Sequence, residues 1–212
     1  MIAEVLPASG PDALRRGIEL LARGELVAFP TDTVYGVGAD AFRPEAVAKL
    51  FAAKVRPADR PIALLVAPEH DLALVAREVP PEAKALARRF WPGGLTLVLW
   101  RSPAVPDVVT AGGPTVGVRV PAHPVALALI RGLGAPLAAT SANLSGQPSP
   151  LTAQEVARQL GGRIPLIIDG GRCPGGVEST VLDLTTPRPT IRRRGAIPRE
   201  ALEAALGREV AG

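Results

Sequence analysis

An α/β fold built on one mixed sheet is predicted from three features of the chain. Short apolar runs with strand character alternate with longer stretches whose apolar residues recur at helical spacing. Two of the short runs, 95–100 and 116–120, follow one another with no convincing helix between them. That breaks a pure βαβ series and requires antiparallel neighbours in the sheet. No repeat, low-complexity tract or linker interrupts the pattern, so residues 1–212 are read as a single domain.

The first helix is expected at 11–23, where Leu14, Ile18 and Leu21 share a face and Gly24 supplies a stop. A strand at 26–29 follows, then a helix at 44–53 with Val47, Leu50 and Phe51 on one side. Strands at 62–66 and 95–100 flank a helix at 81–90. A strand at 116–120 leads to a helix at 124–131, and a strand at 137–139 to a helix at 152–160. Thr152 and Glu155 offer that last helix a capping box. Strands at 166–168 and 180–184 and a helix at 198–206 complete the series. Proline near the first turn suits these helices, because its missing N–H costs nothing there. The Pro/Gly-rich stretch 172–177 reads as a loop within the domain.

Composition narrows the function. Hydrophobic residues make up 47% of the 212, which supplies a core and argues against long disorder. Aromatic residues are only 3%, so stacking of single-stranded bases has little material. Lys49, Lys54 and Lys84 are the only lysines among 24 basic residues, so arginine carries nearly all the positive charge, for a formal net of +4. Two readings stay open: arginine-rich coding, or a set of anion sites, since guanidinium forks match phosphate and carboxylate oxygens. Asn143 is the only asparagine, in a chain with 23 prolines. Heat adaptation or GC-rich coding gives that balance, and either makes the surviving Asn143 conspicuous. Cys173 stands alone, which excludes an internal disulfide or a cysteine zinc site. There is no basic stretch followed by an apolar one at the start, and no run of about 18 apolar residues. A cytoplasmic location without membrane contact is expected.

Several polar segments follow strand-like runs, where open α/β sheets gather ligands. Residues 30–38, PTDTVYGVG, crowd three hydroxyls, a carboxylate and two glycines together. An ordinary polar turn is the plainer reading. Lys54, Arg56 and Arg60 lie within seven residues stiffened by Pro57 and Pro61, which can hold charges for a polyphosphate. Cations at a helix C-terminus explain Lys54 and Arg56 but not Arg60. Residues 140–146, TSANLSG, offer hydroxyls and one amide to phosphate, ribose or a base edge, or form a Ser/Asn turn. Arg119, on an apolar strand, is either solvent-facing or paired with an anion. Glu178-Ser179-Thr180 and Arg192-Arg193-Arg194 are further polar clusters, the second open to a solvated role. A Walker loop, a dinucleotide fingerprint and a nucleophile elbow are all missing. His70 and His123 are isolated and read as surface or capping residues, so no protein metal site is expected.

Together these segments resemble the YrdC-like family, the L-threonylcarbamoyladenylate synthases. FPTDTVYGVG, KVRPADRP, WPGGLTLVL, VGVRVPAHP, TSANLSGQPSP, ESTVLDL and IRRRGAI occur in the family's order, from about Ala28 to Ile197. The resemblance implies a twisted mixed sheet over a large basic concavity. It also implies the joining of L-threonine, bicarbonate and ATP into threonylcarbamoyl-AMP with release of pyrophosphate. A separate transferase complex then uses the product on tRNA position 37. By the same resemblance Lys54 and Arg56 are catalytic, and Arg56, Arg60, Thr115, Ser141, Asn143, Ser149 and Arg193 contact ATP. Thr33, Arg119, Ser179 and the Ala139 backbone are expected on threonine, with Arg119 on its carboxylate. Mg²⁺ is expected on the phosphates. Contact with tRNA or double-stranded RNA is a further expectation.

Many relatives carry His where this chain has Leu65, a position linked to threonine. Two alternatives stand beside the main reading. One is a non-catalytic double-stranded RNA or tRNA binding module. The other is a paralogue using another carbamoyl-type substrate.

Overall fold

The computed structural model describes residues 2–70 and 72–212. Ten strands form one sheet: β1 (Glu4–Pro7), β2 (Val27–Phe29), β3 (Gly36–Asp40), β4 (Ala63–Leu65), β5 (Leu95–Trp100), β6 (Thr115–Arg119), β7 (Leu137–Ser141), β8 (Leu166–Asp169), β9 (Thr180–Asp183) and β10 (Thr190–Arg193). Their order is β1-β8-β2-β3-β7-β4-β6-β5-β9-β10. Parallel pairs (β1/β8, β2/β8, β4/β6, β5/β9) mix with antiparallel ones (β2/β3, β3/β7, β4/β7, β5/β6, β9/β10). The mixed α/β sheet expected from the sequence is present.

Among the described residues seven α-helices surround it: α1 (Pro11–Ala22), α2 (Pro44–Lys54), α3 (Pro81–Phe90), α4 (Asp107–Thr110), α5 (Pro124–Leu133), α6 (Ala153–Leu160) and α7 (Arg199–Leu206). The link between β5 and β6 holds only the single turn α4, as the run of strands required. Three strands were not expected. β1 is four residues ending in proline, β3 holds two glycines, and β10 ends in two arginines. Glycine, proline and charge are poor strand formers, so tertiary pairing rather than propensity makes these segments extended. The capping box is half formed. Thr152 Oγ1 accepts the Glu155 N–H at 3.3 Å, whereas Glu155 Oε2 accepts from the Leu151 N–H at 2.6 Å. His123 caps α5, its Nδ1 accepting the Val125 N–H at 3.3 Å.

Alternation along the strands decides where the cleft lies. On β2, Val27 and Phe29 join one core cluster and Ala28 the opposite one; on β8, Leu166 and Ile168 oppose Ile167. Helices α1 and α5 supply Leu20, Leu21, Val125 and Leu129 to the first of these clusters. Helices α2 and α6 supply Val47, Leu50, Val156 and Leu160 to the second. On β5, Leu95, Leu97 and Leu99 pack with Leu86 of α3 and Leu202 of α7. The intervening Thr96 and Val98 face the other way, into open space. The cover given by α1 and α5 therefore stops short of β6, β5 and β9, and the exposed sheet face becomes a cleft.

Candidate active site

The cleft floor is made of alternate strand residues: Ala63 and Leu65 of β4, Thr96 and Val98 of β5, Thr115, Gly117 and Arg119 of β6, and Val181 of β9. Most are small, which leaves about 980 Å³ of space counting the open mouth. Loops at strand ends add Thr31, Thr33, Glu178 and Ser179 to the walls, the last residues of β7 and β10 add Ser141 and Arg193, and Arg56 completes them.

The loop before β3 is folded by its own hydroxyls. Thr31 Oγ1 accepts the N–H groups of Thr33 (3.1 Å) and Val34 (3.3 Å). Tyr35 is fully buried; its hydroxyl donates to Gly171 O at 2.8 Å and accepts the Gly170 N–H at 3.1 Å. The 172–177 loop is pinned to the same place, the Gly176 N–H donating to Thr33 O at 2.9 Å.

Arg119 is buried, and it is paired with an anion: Nη2 donates to Asp32 Oδ1 at 2.7 Å, Nη1 to Thr33 Oγ1 at 3.1 Å and Nε to Gly93 O at 2.9 Å. A guanidinium has five N–H groups, so one on each terminal nitrogen remains for a ligand. Burial pushes this guanidinium's pKa down, and Asp32 opposes the push. Asp32 also accepts the Ala122 N–H at 2.9 Å and so serves to hold Arg119 in place.

Arg56 follows Val55, a β-branched residue in the left-handed region (φ 52°) at the end of α2. Glycine normally takes such a position, so the turn is strained. It sends Arg56 into the cleft wall, with Nε on Arg60 O (3.1 Å) and Nη2 on Pro61 O (2.8 Å). Burial, then the neighbouring charge of Arg60, lowers the Arg56 pKa. Arg60 itself is exposed outside the lining.

Lys54 lies behind the wall and is only 1% exposed. Its ammonium donates to Ser141 O and, at 2.5 Å, to Asn143 O. Asn143 also stands behind the lining: Nδ2 donates to Leu144 O (2.9 Å) and Gln147 O (2.7 Å), while Oδ1 is buried without a partner. Lys54 and Asn143 thus shape the 141–147 loop from beneath.

The arginine run is divided by a register irregularity in β10 between Ile191 and Arg193, which leaves Arg193 opposite Val181 of the cleft floor. Arg192 turns to Asp183, with Nη2–Oδ2 at 2.9 Å, while Arg193 turns to the cleft. Arg193 Nε and Nη2 donate to Ser179 O (3.1 and 3.0 Å), Nη2 also reaches Ser179 Oγ (3.0 Å), and Nη1 pairs with Glu178. Ser149 Oγ donates to the other Glu178 oxygen at 2.7 Å. Burial pushes the Glu178 carboxyl up, but Ser149, Arg193, Ser141 and Lys54 outweigh it and hold the group below its ordinary range. Glu178 stands in the sequence beside Ser179, yet a carboxylate is not an intuitive member of an anion site, and sequence reasoning gave it no role.

This arrangement depends on Gly195. A Cβ there would collide with Glu178 O and with backbone atoms of Ser179. The Ala196 N–H bonds Glu178 O at 2.9 Å across the same contact. Gly195→Ala is expected to push Glu178 and Ser179 out of place and to lower stability by about 1–3 kcal/mol. Chemical denaturation checks the stability loss, and a changed environment at Ser179 checks its site of action.

Thr33, Arg56, Thr115, Arg119, Ala139, Ser141, Ser179 and Arg193 all line the cleft. Lys54, Arg60, Asn143 and Ser149 surround it without lining it. Leu65 forms part of the apolar floor and is 5% exposed.

The chain matches the Sua5/YciO/YrdC family model, described as telomere recombination, over residues 19–195. It is 50% identical over 194 residues to the threonylcarbamoyl-AMP synthase of Pyrococcus abyssi, covering 92% of this chain and 57% of the relative. It is 40% identical over 215 residues to a putative threonylcarbamoyl-AMP synthase of Mycobacterium tuberculosis, covering 99% and 98% of the two. The solved structure of P. abyssi Sua5 complexed with L-threonine superposes with a TM-score of 0.93 at 47% identity, over 99% of this chain and 62% of that one. The chain thus spans less than two thirds of the length of several relatives it matches.

Proposed function

The chain belongs to the Sua5/YciO/YrdC family, and from that premise we propose that its cleft makes threonylcarbamoyl-AMP and pyrophosphate from L-threonine, bicarbonate and ATP. The observation that carries this reading is the gathering of Arg56, Arg119 and Arg193 on one open sheet face. All three substrates bear negative charge. Two unit charges about 4 Å apart interact by roughly 4 kcal/mol at an effective dielectric of 20, so fixed cations are needed to bring these anions together.

Arg119, with two N–H groups to spare, takes the threonine carboxylate, while Thr33, Ser179 and the Ala139 backbone seat the rest of the amino acid. Arg56, Arg60, Thr115, Ser141, Ser149 and Arg193 take ATP. Lys54 and Asn143 hold the loop that presents Ser141, and Lys54 adds positive charge from behind. The threonine amine and bicarbonate give a carbamate and water. A carbamate oxygen then bonds to the α-phosphorus as the bond to the bridging oxygen breaks and pyrophosphate leaves with its electron pair. Positioning and charge stabilisation supply the catalysis. Mg²⁺ arrives with ATP as part of the substrate; the one carboxylate on the lining, Glu178, fits a metal carried chiefly by phosphate oxygens. The product passes to a separate transferase acting on tRNA, in the cytoplasm. No helix among the described residues is long and apolar enough to cross a membrane.

The test is ATP-dependent pyrophosphate release with threonine and bicarbonate. Arg56→Ala is expected to cut it about 100-fold while leaving the fold intact, because Arg56 sits in a loop at the cleft wall. Tight RNA binding with a steep salt slope and no response to threonine would instead identify a binding module.

A further inference from the structure

Among the described residues lining the cleft, Glu178 is the only carboxylate. Its position joins the two halves of the site. Its oxygens hold Ser149 and Arg193, two side chains assigned to ATP. The residue next in sequence, Ser179, is assigned to threonine and is itself held by Arg193. The charge of Glu178 acts on Lys54 and Arg56 on the nucleotide side and on Arg119 on the threonine side. An amino acid whose carboxylate lies on Arg119 carries its ammonium in the same cleft, and no histidine among the described residues lines that cleft to receive a proton.

Building on the proposed reaction, we infer that Glu178 is the proton acceptor for the threonine amine, uncovered when ATP phosphates take Arg193 and Ser149 from it. The α-ammonium gives one proton to the Glu178 carboxylate, leaving a neutral amine and a carboxylic acid. The amine lone pair forms the N–C bond to bicarbonate carbon. Water leaves with the bicarbonate hydroxyl and one amine hydrogen, and a carbamate remains. Glu178 returns its proton to solvent as products depart. In the empty cleft the same carboxylate neutralises the cations that await the phosphates, so nucleotide entry and activation of the base are one event. The groups facing Glu178 are Arg193 from β10, Lys54 and Arg56 from the end of α2, Arg119 from β6, and the hydroxyls of Ser141 and Ser149.

Glu178→Gln keeps the shape and an acceptor for Ser149 while removing the base. Single-turnover formation of threonylcarbamoyl-AMP is expected to fall about 100-fold or more at neutral pH. ATP affinity, read by calorimetry, is expected to hold or tighten, because a competing negative charge is gone. The ratio of wild-type to E178Q rates is expected to narrow as pH rises and the medium itself deprotonates the amine. Glu178 raises the Lys54 pKa, so earlier loss of that proton in E178Q would widen the ratio with pH, opposite to the narrowing expected from the lost base. Glu178→Asp is expected to restore part of the rate. A rate within a few-fold of wild type, or a large ratio that stays constant with pH, overturns the inference. A wild-type chain inert toward threonine removes the proposed reaction and this inference with it; an active wild type with an unimpaired E178Q removes the inference alone.

Discussion

Replacing Arg119 with methionine is expected to destabilise the chain by about 3–5 kcal/mol, the cost of breaking a buried ion pair from one side. The side chains of Arg119 and Asp32 are 8% and 16% exposed. Without the guanidinium, Asp32 keeps only the Ala122 N–H, and Thr33 Oγ1 and Gly93 O each lose a donor. For a chain of this size that loss lowers Tm by roughly 6–20 °C. Threonine-dependent pyrophosphate release should vanish as well. The double variant Arg119→Met with Asp32→Asn separates the two effects. Removing the orphaned charge should restore much of the stability and none of the turnover, since the carboxylate subsite proposed on Arg119 is still gone. A single variant that loses less than about 1 kcal/mol would show that the pair is not desolvated as described.

Lys54→Met is expected to have the next largest effect. The ammonium is the donor to Ser141 O and Asn143 O, and the Lys54 carbonyl accepts the Ser145 N–H at 2.9 Å. Methionine fills similar volume but leaves two buried carbonyls without their charged donor, at a cost of about 2–4 kcal/mol. The 141–147 loop loses its anchor, so amide exchange there should quicken more than in the sheet. Burial, with the Arg56 charge, pushes the Lys54 pKa down to about 8. The unfolded chain therefore holds this proton more tightly than the folded one. Between about pH 8 and the ordinary value of 10.5, the Lys54 contribution to stability rises with pH. Denaturation of wild type and Lys54→Met across that window should show the gap widening. A gap that is flat with pH would mean that burial does not displace the Lys54 proton.

Much of this was readable in the sequence because local pattern and tertiary demand agree over the long elements. Val47 and Leu50 do face the core, and β5 runs over the residues that its apolar run marks. Glycine and arginine hid β3 and β10: neither has strand propensity, and both are extended because neighbours pair with them. Arg119 could be read two ways from alternation alone; only the arrival of Asp32, 87 positions away, decides that it is buried. The polar segments were recognisable one by one as strand-end loops. What could not be read was which of them face the ligand and which hold the others. Lys54 and Asn143 look like ligands by type, yet they stand behind the wall because α2 ends beneath the β7 loop. Glu178 stands in a polar cluster legible in the sequence, but its role is not: its charge sign is wrong for an anion site until Arg193 and Ser149 are seen on it.

The cleft itself follows from a mismatch of cover. Ten strands make a sheet wider than α1 and α5 cover, and the uncovered face is floored mostly by small residues, Ala63, Thr96, Thr115 and Gly117, beside Leu65, Val98 and Val181. The sequence that fails to complete a core on that face supplies the room for substrates.

A crystal structure of the chain with a non-hydrolysable ATP analogue and L-threonine tests the joint site most directly. The threonine carboxylate is expected on the two spare N–H groups of Arg119, and the polyphosphate on Arg56 and Arg193, with Glu178 no longer paired to Arg193. Nucleotide bound on another face, or a threonine carboxylate away from Arg119, would contradict it.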